Sequence, residues 1–139
     1  MAGGEAMLVA GIGCRRGASV ADIDEAISAA RSAFGCDAPI AVIATEASKS
    51  EEAGLREAAR RLGVRVATYP SDALDAMAGS VLTQSAAALE HKGTRSVAEA
   101  AALLAAGVNG RLLGPRVATP RATCAFAIGD GTRSDGGGT

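Results

Sequence analysis

Val9-Ala10-Gly11-Ile12-Gly13-Cys14-Arg15-Arg16-Gly17-Ala18-Ser19 holds an apolar run that stops abruptly in glycines and arginines, just before an amphipathic pattern opens. Ala6 to Ile12 has the length and apolarity of a buried strand. Ser19, followed three residues later by Asp22, is a capping-box-like start for a helix. A glycine-rich turn from strand to helix leaves backbone N–H groups without intrahelical partners at the positive end of a helix, an arrangement that attracts anions. Arg15 and Arg16 add planar guanidinium forks suited to carboxylates and phosphates alike. The plainer account of the same residues is a tight turn with two solvated arginines.

The turn departs from the familiar phosphate-binding motifs. A dinucleotide fingerprint needs a third Gly or Ala where this chain has Arg16, and no Asp stands near the end of the following strand. A Walker loop ends in Gly-Lys-Ser/Thr, whereas Gly17-Ala18-Ser19 lacks the lysine. A generic nucleotide-binding α/β domain is therefore the third functional reading of this loop, behind the two developed below.

Downstream, Val20, Ile23, Ile27, Ala30 and Phe34 recur at spacings of three and four, predicting a helix that Gly35 ends. Pro39 to Ala44 is a short apolar run without alternation, as in a strand covered on both faces. Thr45 to Glu52 is polar and begins a second helix, with Leu55, Ala58, Ala59 and Leu62 inward and Glu52/Arg56 and Glu57/Arg61 as i,i+4 pairs outside. Gly63 closes it before a third strand, Val64 to Thr68. Strands and helices alternating at these lengths imply an α/β fold with right-handed crossovers and parallel neighbours. The loops after the first and second strands then lie at one sheet edge, so Arg15, Arg16, Glu46 and Lys49 are expected to share a crevice.

Tyr69-Pro70 breaks the pattern. Ser71 to Met77 reads as a short helix, Ser80 to about His91 as another, and Ser96-Val97-Ala98-Glu99 as a capping box before an alanine-rich helix ending at Gly107. In that reading Glu99 bonds back to its own N-cap. Residues 111–113 and 123–128 read as strands around a loop from Gly114 to Arg121, where Arg116 and Arg121 form either an anion clamp or a solvated hairpin end. Residues 1–129 are read as a single domain, and 130–139, rich in glycine, as a flexible tail.

Composition narrows the function. The 139 residues carry 14 Lys plus Arg against 15 Asp plus Glu, leaving no bulk charge for a nucleic-acid backbone or an anionic membrane. Aromatics, at 2%, are too few for base-stacking platforms. No transmembrane-length apolar run or secretory leader is evident, so a cytoplasmic location is expected. Cys14, Cys36 and Cys124 include no Cys-x-x-Cys pair and His91 stands alone, so no disulfide framework, metal site or cofactor is expected. Cys14, ahead of a helix and beside arginines, is either a thiol of lowered pKa or a small packing residue. His91 reads as an exposed residue near a helix end. No serine, histidine and acid fall into a triad spacing.

Taken together, Gly11-Ile12-Gly13-Cys14-Arg15-Arg16-Gly17, Lys49-Ser50-Glu51-Glu52-Ala53-Gly54-Leu55, Ser96-Val97-Ala98-Glu99-Ala100-Ala101-Ala102-Leu103 and Pro115-Arg116 resemble the CobE / CbiG C-terminal domain family of cobalamin biosynthesis. Several separated motifs in the right order, spanning nearly the whole chain, carry this resemblance. Arg116 departs from the lysine expected after the proline; the charge is kept and the donor geometry changes. The resemblance implies a three-layer α/β/α sandwich with a largely parallel or mixed central sheet, of the free-standing CobE type, acting in corrin-ring construction.

Under that resemblance the leading expectation is a module that binds or hands on a precorrin or other modified tetrapyrrole, with other corrin-pathway enzymes as candidate partners. Its ligand-binding residues would be Gly11, Gly13, Cys14, Arg15, Arg16, Gly17, Ser19, Lys49 and Arg116. The alternative is a cobalt-precorrin hydrolase, or a subunit of one, that opens a lactone and releases acetaldehyde, with Cys14, Glu46, Lys49 and Glu99 as candidate catalytic residues. No spacing joins those four into a constellation.

Overall fold

Alternate residues of the first strand, β1 (Met7–Cys14), face two different cores. Leu8, Ala10 and Ile12 pack with helices α1 (Val20–Phe34) and α2 (Ala53–Leu62), while Val9 packs with a helix on the opposite face, α4 (Val97–Ala106). A strand sandwiched in this way must be apolar throughout, which is why its sequence shows no alternation. The computed structural model describes residues 7–77 and 97–131. The helix expected from Ser80 to His91, the residue Ser96 and most of the expected tail lie outside them.

The described residues contribute six strands to one mixed sheet. β2 (Ile40–Glu46) and β3 (Arg65–Tyr69) continue in parallel from β1, in the spatial order β3-β2-β1. On the other side of β1 lies β6 (Ala122–Gly129), antiparallel to it over eight residue pairs from Met7↔Gly129 to Cys14↔Ala122. Two short strands, β4 (Arg111–Leu112) and β5 (Val117–Ala118), also pair antiparallel with β6. Helices cover both faces, so the architecture is the expected three-layer sandwich, and the sheet is of the mixed kind.

Local chemistry sets the boundaries. Ser19 and Asp22 form a reciprocal capping box at the start of α1, and Gly35 ends it in the left-handed region with φ 60°. The second helix begins later than its polar lead-in predicts: β2 runs on to Glu46, a single 3₁₀ turn covers Ala47–Lys49, and α2 starts at Ala53. The expected Glu52/Arg56 pair is replaced by Arg56 with Glu51 at 3.2 Å, because the Glu52 carboxylate is bound elsewhere. Glu57 does pair with Arg61, at 3.1 Å. Ser71–Asp75 forms the short helix α3. The expected loop 114–121 contains β5, which is too short to leave a periodic signal. At the end of the described chain, Gly131 N–H donates to Ala106 O and Asp130 N–H to Val108 O, both at 2.8 Å, so the first two residues of the expected tail belong to the fold.

Gly11 marks where the third layer touches the sheet. A Cβ at this position would overlap the Ala98 carbonyl oxygen and crowd Ala102, so α4 reaches β1 closely only because the strand has no side chain here. The alanine-rich face of α4, with Ala98, Ala101, Ala102, Ala105 and Ala106 all buried, completes that approach. Among the described residues no helix is long and apolar enough to cross a membrane.

Candidate functional site

Parallel pairing of β1 with β2 brings their carboxyl ends side by side, and the turn after β1 meets the polar turn after β2. The contact is direct: the Gly17 N–H donates to Glu52 Oε1 at 3.0 Å. Gly17 has φ 79°, a conformation that glycine adopts at little cost and that aims its amide at the carboxylate. Other donors of the turn are also engaged. Arg15 N–H bonds Arg121 O at 3.1 Å, Ala18 N–H bonds Arg15 O at 3.1 Å, and Ser19 N–H bonds Asp22 Oδ2 at 2.9 Å. The expectation of an amide nest open to an external anion is therefore corrected at these positions, because carboxylates of the chain itself occupy two of them. The cationic side chains are not spent in this way. Arg15, Arg16, Lys49 and Arg116 make no ion pair among the described residues.

Cys14 ends β1, half-buried against the core below α1. Burial pushes its thiol above the ordinary cysteine value; Lys49 opposes this through its charge, and Glu52 adds to it. This direction is opposite to that of an activated thiol, and Cys14 packs against the core as a small apolar residue would. Lys49 is half-buried in the 3₁₀ turn, and its carbonyl accepts the Glu52 N–H at 3.1 Å.

The hydrolase candidates are not gathered. Glu46, at the end of β2, accepts a hydrogen bond from Ser71 Oγ at 3.2 Å. Glu99 is fully buried in the first turn of α4 and accepts the Arg116 N–H at 2.7 Å through Oε2. A carboxylate committed to a backbone amide is an anchor for the 114–121 hairpin, and it fixes where Arg116 leaves the surface. The Ser96 partner expected for Glu99 lies outside the described residues. Gly11 is buried beneath α4 and Ser19 caps α1, so both shape the turn from within.

Three further residues shape the edge: Thr45 and Thr123, which the sequence does not single out, and Arg121, which it reads with Arg116 as either an anion clamp or a solvated hairpin end. Thr45, fully buried, donates from Oγ1 to Ile12 O at 2.7 Å and ties β2 to β1 just below the turn. Thr123 donates to Gly13 O at 3.3 Å. Arg121 Nε donates to Asp22 Oδ2 at 3.2 Å, linking the hairpin before β6 to the N-terminus of α1. Antiparallel β6 was the missing signal: it returns the chain to the carboxyl end of β1. Between the two lies a cleft of about 230 Å³ lined by Gly13, Cys14, Arg15, Thr119, Arg121 and Thr123, among others.

Residues 8–127 match the family described as Cobalamin synthesis G C-terminus. The chain belongs to that family. It is 32% identical over 125 residues to Protein CobE of Sinorhizobium sp, covering 86% of this chain and 79% of that protein. Its fold superposes on the crystal structure of CobE, a protein from the cobalamin (vitamin B12) biosynthetic pathway, with TM-score 0.78 and 36% identity over 88% of this chain and 90% of the other. A second solved relative, cobalamin biosynthesis protein chiG from Agrobacterium tumefaciens str. C58, is 42% identical with TM-score 0.66, over 88% and 98% of the two chains. The family member described here is thus a cobalamin biosynthesis protein of the CobE / CbiG C-terminal type, with a tetrapyrrole pathway as its setting.

Proposed function

We propose that this protein binds a carboxylate-bearing corrin-pathway intermediate at the carboxyl edge of its sheet, and that it does so without turning the ligand over. The observation that supports the reading is that Arg15, Arg16 and Lys49 stand on the two turns that the Gly17–Glu52 bond joins, with no ion pair among the described residues. Arg116, anchored through its amide to Glu99, precedes β5 and so adds a cation farther back along the hairpin, beyond β6. Corrin intermediates carry several acetate and propionate arms, and guanidinium groups bind carboxylates through paired, charge-assisted hydrogen bonds. Turnover would require a positioned base and an oxyanion site, and Glu46 and Glu99 are held by Ser71 and Arg116.

Titrating the purified protein with a cobalt corrin bearing free carboxylate arms, followed by visible difference spectra, tests this reading. Binding is expected, and Arg15→Ala together with Arg16→Ala is expected to weaken it at least tenfold, since a hydrogen bond to a charged group contributes about 1.5–3 kcal/mol. Saturable binding of a nucleotide in place of the corrin would replace this reading with the generic α/β one. Catalytic release of acetaldehyde from a cobalt-precorrin lactone would promote the hydrolase.

A further inference from the structure

The cleft between the ends of β1 and β6 has two properties that the polycarboxylate reading leaves unexplained. Its volume, about 230 Å³, is below the roughly 300–1,000 Å³ of sites that enclose a whole small ligand. Its register is also unusual. Cys14 pairs with Ala122 as the last rung of the β1–β6 ladder, and the next step sets Arg15 directly opposite Arg121, joined by the Arg15 N–H to Arg121 O bond of 3.1 Å. Like charges placed directly opposite across an antiparallel pair are destabilising. Asp22 balances only one of them, since its carboxylate takes Arg121 Nε at 3.2 Å. Both arginine side chains are exposed and line the cleft.

The hydroxyls in the cleft are already donating: Thr119 Oγ1 to Ala122 O at 2.9 Å and Thr123 Oγ1 to Gly13 O at 3.3 Å. The donors left for an anion are the Arg15 guanidinium and the Nη groups of Arg121. Resting on the corrin-binding reading, we infer that Arg15 and Arg121 clamp a single carboxylate side arm of the ligand in this cleft. The macrocycle stays outside, against the surface around Arg16 and Lys49. Asp22 is a positioning residue that engages Nε and leaves the Nη edge of Arg121 facing the arm. The new element in this assignment is the pairing of Arg121 with Arg15 of the arginine–glycine turn, and not with Arg116.

The experiment is a double-mutant cycle with Arg15→Ala and Arg121→Ala, using a cobalt corrin with free carboxylate arms and the same corrin with every arm methyl-esterified. Each single variant is expected to lose about tenfold or more in affinity for the acid form. The double variant is expected to lose little beyond either single, because both side chains hold one carboxylate. Affinity for the ester is expected to be lower in the wild type and insensitive to both substitutions. Arg121→Lys, which keeps the charge and loses the fork, should recover part of the loss. Arg15→Ala without ligand should melt no lower than wild type, since it removes the like-charge pair, and this separates lost contact from lost folding. Unchanged acid-form affinity in Arg121→Ala, or fully additive losses, would overturn the clamp while leaving the polycarboxylate reading standing. Failure of the wild type to bind the acid form at all would remove both.

Discussion

Glu52 and Cys14 show how the surroundings of one side chain change the reading of a motif. In the sequence, Glu52 sits four residues before Arg56 and invites an i,i+4 pair; in the fold it spans 35 positions to hold the Gly17 amide. That bond occupies a donor that would otherwise serve an external anion, and it brings a negative charge near Cys14. Cys14 itself is raised above the ordinary thiol value, first by burial, with Glu52 acting in the same direction and Lys49 against it. Alkylation of Cys14 should therefore have a pH midpoint above that of an unhindered cysteine. Lys49→Ala should move the midpoint further up, and Glu52→Gln should move it down. Rates of maleimide labelling against pH, with Cys36 and Cys124 replaced, measure all three. A midpoint below the ordinary value would restore the activated-thiol account.

At the scale of elements, the placement of α4 depends on a strand position without a side chain. Gly11→Ala would drive a Cβ into the Ala98 carbonyl, which belongs to helix backbone and has no flexible end to move aside. The helix must shift as a body, and with it Glu99 and the Arg116 hairpin that Glu99 holds. Overpacking of this kind typically costs about 1–3 kcal/mol, so chemical denaturation of Gly11→Ala is expected to show a loss in that range. An unchanged midpoint would mean that α4 is not seated as described. The strand–helix alternation from β1 to β3 was legible because each element is long enough to show its period, and the carboxyl-edge position of the first two loops follows from parallel pairing alone. The site was less legible. Nothing in the run Thr123 to Ile128 says that it returns beside β1, so neither Arg121 opposite Arg15 nor Thr123 on Gly13 O could be placed from the sequence. The 2.7 Å bond from the Arg116 amide to Glu99 crosses 17 positions, and the local capping-box spacing from which Glu99 is read carries no sign of it.

For the molecule as a whole, the formal charge at pH 7 is −1, so its net field does not draw a polyanion toward it. Attraction for a polycarboxylate would have to come from individual cations at the carboxyl edge of the sheet, where Arg15 and Arg16 stand exposed to solvent with no ion pair among the described residues. Exposed charges are screened over about 10 Å at 0.1 M ionic strength and about 3 Å at 1 M. The folded state rests instead on two apolar clusters, one on each face of the sheet, which contain no exposed ion pair. Raising sodium chloride from 0.1 to 1 M is therefore expected to weaken binding of a carboxylate-armed corrin by roughly tenfold or more, while the melting temperature changes little. Parallel titrations and thermal melts across that salt range separate the two responses. Affinity that held or rose with salt would move the recognition from the arginines to the apolar face of the macrocycle, and the carboxyl edge would then lose its claim as the place where the ligand is read.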